Sequence, residues 1–219
     1  MFAVNKIFFI ILIISYGALN AYATTDKQKN ISVIENIKYL SQKIANDYLY
    51  LYQDSKKTEL KERLNNSIKE LENNFRFIAK NTTNSDTKNI LDFLSYSKDQ
   101  MKETIADDIS KESVSSMLDF SNTMLEGAQS MIDGQNPNKF NTKFHLMMIS
   151  KLYMAINLDF EKIDNKNEIK KEIALFNSNT TSNSSWLAFK DIIENKQKIF
   201  IPNIASLLIK DLENNENRN

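Results

Sequence analysis

The sequence contains no cysteine, so neither a disulfide framework nor a thiolate-ligated metal site can be built from it. It has 3 glycines and 2 prolines in 219 residues. Strand-rich folds need a turn residue at nearly every chain reversal, so this scarcity predicts long helices. The single histidine, His145, is too little for a multi-histidine centre. No loop carries the D-x-D-x-D-G spacing of a calcium loop either. The arginines are Arg63, Arg76 and Arg218, and every other cation is a lysine. Lys+Arg and Asp+Glu are 28 each, so the net charge is zero. A chain with no basic excess and no basic stripe is not expected to bind nucleic acid. No Gly-rich elbow surrounds a serine, and nothing places two carboxylates, or a nucleophile and a base, on one credible cleft. An enzyme is therefore not expected, and nothing in the sequence calls for a cofactor.

What is present begins with a secretory leader in form. Lys6 supplies the positive start, Ile7 to Ile14 (IFFIILII) the apolar centre, and Ala21-Tyr22-Ala23 the small-x-small cleavage pattern. Cleavage after Ala23 leaves residues 24–219, expected in the periplasm or secreted; a retained signal anchor is the other reading. No second apolar run approaches the ~20 residues of a spanning helix, so no membrane span is expected after cleavage.

The rest of the chain reads as helices. The spacing predicts a polar lead-in over 24–30 and a helix over 32–54, with Ser32 as a cap. A second helix covers 59–80, with Leu60, Leu64, Ile68, Leu71, Phe75 and Ile78 stepping by three and four. After the polar loop 81–86, Asp86 or Thr87 caps a third helix to about Thr104, with Ile90, Leu94, Ser97 and Met101 inward. Residues 107–110 form a bend. A fourth helix runs to Asp133 with Val114, Met117, Ser121, Met124, Ala128 and Met131 inward, its methionines serving as adaptable core. Gly134 to Asn138 (GQNPN) is the strongest break. Helices are then expected over 139–160, 165–176 and 186–198, the last two separated by the polar loop 177–185. A short one follows over 203–212 after Pro202. The fold class is all-α: an elongated helical bundle, expected as a leader (1–23), a first helical half (24–134) and a second half (135–219) packed on it.

One stretch organises the chain. In IENIKYLSQKIANDYLYLY, residues Ile34, Ile37, Ser41, Ile44, Tyr48 and Leu51 form one helical stripe, and Ser41 is its polar member. Lys38 to Leu49 can be laid over Lys143 to Met154 at a constant offset of 105, matching Lys38 with Lys143, Ile44 with Ile149 and Tyr48 with Tyr153. Phe93 and Tyr96 share their spacing with Trp186 and Phe189. The alternative is that any two helices with heptad spacing align somewhere.

The stretch Lys38-Tyr39-Leu40-Ser41-Gln42-Lys43-Ile44-Ala45-Asn46-Asp47-Tyr48-Leu49 resembles the R-M-L-S-Q-R-[MI]-A-x-x-Y-L signature of PilJ-type domains. These are the N-terminal sensory domains of type IV pili methyl-accepting chemotaxis transducers, related to nitrate-sensing NIT domains. Met148-Ile149-Ser150-Lys151-Leu152-Tyr153 is similar to the M-A-K-L-Y half of the same signature. The resemblance covers nearly all of residues 24–219. It implies a helical bundle that binds a small oxyanion near this motif, often across a dimer interface, so a homodimer is among the expectations. Lys38 and Lys143 stand where the family has its first Arg, and Lys43 and Met148 where it has the second. A lysine is a point charge and lacks the bidentate fork that suits a planar oxyanion.

From the residues, Lys38, Ser41 and Gln42 can share a helix face, while Lys43 lies about 100° round from Gln42. With Lys43 and Lys143 they are the candidate ligand-binding residues. The competing reading is that Ser41 and Gln42 hydrogen-bond within the bundle while both lysines of the motif sit in solvent. His145 is expected buried and hydrogen-bonded, and Trp186 a core anchor. The function expected is an exported, non-enzymatic PilJ-like module that binds a small oxyanion or polar metabolite and acts through a partner protein. The alternative is a helical bundle that presents a face to another protein.

Overall fold

The computed structural model of the chain describes residues 3–132, 140–160, 165–180, 184–195 and 207–211, with only the backbone path described over 3–26. All described regular structure is helical: α1 (Ala3–Gln53), α2 (Thr58–Asn81), α3 (Ser85–Ala106), α4 (Lys111–Ile132), α5 (Thr142–Asn157), α6 (Asn165–Asn179) and α7 (Ser184–Glu194), with a further helical stretch at 207–211. The protein is an all-α helical bundle. The expected break at Gly134 to Asn138, the boundary at 134/135 and the restart at Pro202 lie outside the described residues.

The apolar stripes are the buried faces. Every stripe residue of α1, from Ile34 to Leu51, is buried, and so are all six on α2 and all six on α4. On α3, Leu94, Ser97 and Met101 are buried as expected, but in the first turns Thr87 and Leu91 are buried and Ile90 is only half-buried. α3 packs against both α2 and α4, so its buried face points into the wedge between them. Several boundaries also differ from expectation: α5 is shorter at both ends, and α6 runs on to Asn179 and α7 starts at Ser184, inside the expected loop 177–185. The polar lead-in 24–30 is helical, because α1 continues through it with neither Gly nor Pro after Gly17 to stop propagation. The cap of α3 is Asn84, whose side chain accepts the Thr87 N–H at 2.9 Å.

α1 runs antiparallel to α2, with contacts pairing Asn36 with Glu70 and Asp47 with Arg63. It is also antiparallel to α4, with Gln42 against Ser121 and Tyr48 against Ser113. α3 closes this four-helix ring. α5 packs on the remaining side of α1 and runs parallel to it: Glu35 meets Asn141, Asn46 meets Ser150, and Tyr52 meets Phe160. The two aligned segments, Lys38–Leu49 and Lys143–Met154, therefore lie side by side in one direction. α6 packs on α5, and Trp186 and Phe189 of α7 are buried, the Trp186 ring 4.3 Å from Phe176.

α5 ends in a turn that normally takes glycine. Asp159 has φ 59°, its N–H donates to Ile156 O, and the Phe160 N–H donates to Ala155 O at 2.9 Å, the pairing of a Schellman motif. Replacing Asp159 by Gly removes the cost of a side chain in the left-handed region and is expected to raise stability by about 0.5–1 kcal/mol in chemical denaturation. Gly127 is different, since a Cβ there would lie 2.6 Å from the Leu94 side chain, itself fully buried. Gly127→Ala is therefore expected to lower stability by about 1 kcal/mol, overpacking outweighing the better helix propensity.

Candidate functional site

From Leu40 to Leu51 α1 is buried on every side, with Lys43 alone half-buried, so its polar side chains must find partners within the protein. Ser41 Oγ donates to Lys38 O at 2.8 Å. Gln42 Nε2 donates to Ser41 Oγ at 3.0 Å and to Ser121 O at 3.4 Å, while Ser121 Oγ donates back to Ser41 O at 2.9 Å. This reciprocal pairing pins α1 to α4. Gln42 Oε1 is buried and accepts no hydrogen bond from any described residue.

Lys38 is 8% exposed rather than in solvent. Its Nζ donates to Glu35 Oε1 at 3.0 Å and to Gln129 Oε1 at 2.9 Å, and it lies 4.9 Å from the centre of the Phe144 ring. Glu35 Oε2 in turn accepts from Asn141 Nδ2 at 2.8 Å, and Asn141 caps α5 by accepting the Phe144 N–H. Glu35 thus joins a buried lysine to the start of α5. On its outer side a groove of about 310 Å³ opens, lined by Ser32, Glu35, Asn36, Tyr39, Asn141 and Lys143.

The structure therefore buries Lys38, Ser41 and Gln42 but sends them to different partners, Lys38 Nζ to Glu35 and Gln129 and the Ser41–Gln42 pair to Ser121, and it sets Lys143, exposed, at the groove beside Glu35. Lys43 stands apart. Its Nζ turns to α2, donating to Asp47 Oδ2 and Ser67 Oγ, each at 2.8 Å. Asp47, fully buried, also receives Arg63 Nη2 at 2.5 Å. Glu35, Asn141 and Gln129 were not singled out in the sequence. Glu35 carried a readable signal, since an acid three residues before Lys38 on a helix is within reach of it. Gln129 carried none, because its contact spans 91 residues.

A second buried cation was also missed. Lys151 is 3% exposed, and its Nζ donates to Asn122 Oδ1 at 3.0 Å. Burial pushes its ammonium down to about 8, against the pull of Glu168 and Glu172. Its signal was its position as the one cation in the apolar run from Leu146 to Ile156. Nearby, Ser150 Oγ donates to Asn46 Oδ1, and burial pushes the Tyr50 hydroxyl up to about 12. His145 is half-buried, its Nδ1 2.6 Å from Glu172 Oε2 and its ring stacked on Phe140 at 4.2 Å. Among the described residues no three histidine or carboxylate groups converge as metal ligands. Nor is any described helix long and apolar enough to cross a membrane.

No family model, no curated protein and no solved structure matches this chain.

The Lys151 site has a pH signature. The unfolded chain keeps an ordinary lysine near 10.5, so between that value and about 8 it binds more protons than the folded chain. The contribution of Lys151 to stability is accordingly least favourable below pH 8 and rises with pH across this window. Lys151→Met is expected to flatten that rise and to stabilise the protein by about 1–3 kcal/mol near pH 7, since an apolar side chain fills the site without a buried charge. Urea unfolding of both proteins from about pH 7 to 9.5 measures this, staying below the range where tyrosines titrate in the unfolded chain.

Proposed function

We propose that this chain is an exported, non-enzymatic binding module of the PilJ type. It takes a small polar or anionic ligand in the groove between α1 and α5 and reports occupancy to a partner protein. The observation that carries this reading is the position of Glu35, which holds the buried Lys38 with one oxygen and the cap of α5 with the other. A ligand anion drawn to Lys143 competes with Glu35 for Asn141 and Lys38. Moving Glu35 then alters the bond from Lys38 to Gln129 of α4, so three helices feel the occupant. The resemblance of Lys38 to Leu49 to the PilJ signature and the secretory form of the leader support the same reading.

A second reading has its own observation. Phe93 and Tyr96, one turn apart on α3, are 65% and 66% exposed. An exposed aromatic pair suits a protein-docking face, which favours the interaction-module alternative.

Thermal unfolding against small oxyanions and polar metabolites at fixed ionic strength separates them. A ligand of the folded state at about 100 times its Kd adds about 2.7 kcal/mol of stability. The expected result is a midpoint rise for a specific ligand that is lost in Lys143→Ala and larger in Glu35→Gln, where no carboxylate competes with the anion for Lys38 and Asn141. No rise across the panel moves the function to protein docking.

A further inference from the structure

A cavity of about 640 Å³ opens where α5, α6 and α7 converge, within the ~300–1,000 Å³ typical of small-molecule sites. Its apolar lining is Tyr153 and Ile156 of α5, Ile169 and Ile173 of α6, and Ile193 of α7. Its polar lining carries both signs. Lys166 and Lys170 stand one turn apart on α6, near the helix start, while Asp159 and Glu194 follow or finish α5 and α7.

These chemistries select against simple ligands. A hydrocarbon would strip water from four charged groups and return nothing to them. A bare ion would leave the isoleucines facing water. Both are satisfied by a ligand with two opposite charges on an apolar body. We propose that the cavity binds a small apolar zwitterion: a free amino acid, or a short peptide, with a branched or aromatic side chain.

The two charges have distinct places. The carboxylate goes to the lysines of α6, where the positive end of the helix dipole adds to their field. The ammonium goes to Asp159, next to the carbonyl end of α5. Glu194 is already paired with Lys190 at 3.6 Å, whereas Asp159 forms no ion pair among the described residues. The cavity shares no lining residue with the groove at Glu35, and this inference stands separately from the function proposed above.

Calorimetric titration of the purified protein tests it with L-leucine and L-leucyl-L-leucine as probes, which also tells a free amino acid from a peptide. Analogues lacking one feature are 4-methylpentanoate, 3-methylbutylamine and glycine. Binding of at least one zwitterion is expected, with each analogue weaker by about tenfold or more. Asp159→Asn and Lys170→Met should each weaken the zwitterion about tenfold. Both residues are exposed, and Asn tolerates the left-handed backbone, so unchanged thermal midpoints verify the fold of both variants. Lys143→Ala should leave this binding intact. The inference is overturned if neither zwitterion binds, if analogues bind equally well, if both cavity variants bind as wild type does, or if Lys143→Ala abolishes binding.

Discussion

The structure depends on α1 being enclosed. Its segment from Leu40 to Leu51 has α2 and α4 on two sides and α5 on another. A helix surrounded in this way cannot hand its polar side chains to water, and each one must be met by a neighbour. Ser41 and Gln42 are met by Ser121 of α4, Asn46 by Ser150 of α5, and Asp47 by Arg63 of α2. These contacts fix the height of each surrounding helix relative to α1, since shifting one by a turn would leave a buried donor or acceptor unpaired. Hydrophobic burial supplies the driving force, but it is nearly indifferent to such sliding; the polar pairs are not.

The parallel packing of α5 on α1 follows from the same constraint. α1 and α5 place Ile44 and Ile149, and Tyr48 and Tyr153, in the interior together. Where the aligned segments diverge, the environments diverge too. Lys38 is drawn inward by Glu35 and Gln129, whereas Lys143, its counterpart, sits at the outer groove. Ser41 and Gln42 reach α4, and the counterpart positions are apolar Leu146 and Met147, both fully buried. The polar work is concentrated on the helix with the most neighbours.

Both candidate ligand regions lie at the margins of this enclosed pair. The groove at Glu35 opens where α5 begins beside α1, and the cavity of α6 and α7 opens where α5 ends. At both places the helix terminus leaves backbone groups and short polar side chains near solvent, which gives a ligand something to contact without breaching the core. The buried charges behind them, Lys38 and Lys151, are held by one or two neutral or acidic partners each. They are sensitive to small displacements because their alternatives are poor.

The sequence by itself determined the helical class, the buried stripes of α1, α2 and α4, and the inward position of Trp186. These are local properties: a period of three and four and few breakers. It also marked Lys38, Ser41 and Gln42 as neighbours, because residues three or four apart share a helix face by geometry alone. Only the tertiary structure decided that Lys38 is held by Gln129, that Lys43 turns instead to Asp47, and that Lys151 is buried beside Asn122. Each depends on which helix lies across the way and at what height. That pairing joins residues tens of positions apart, and no local period encodes it.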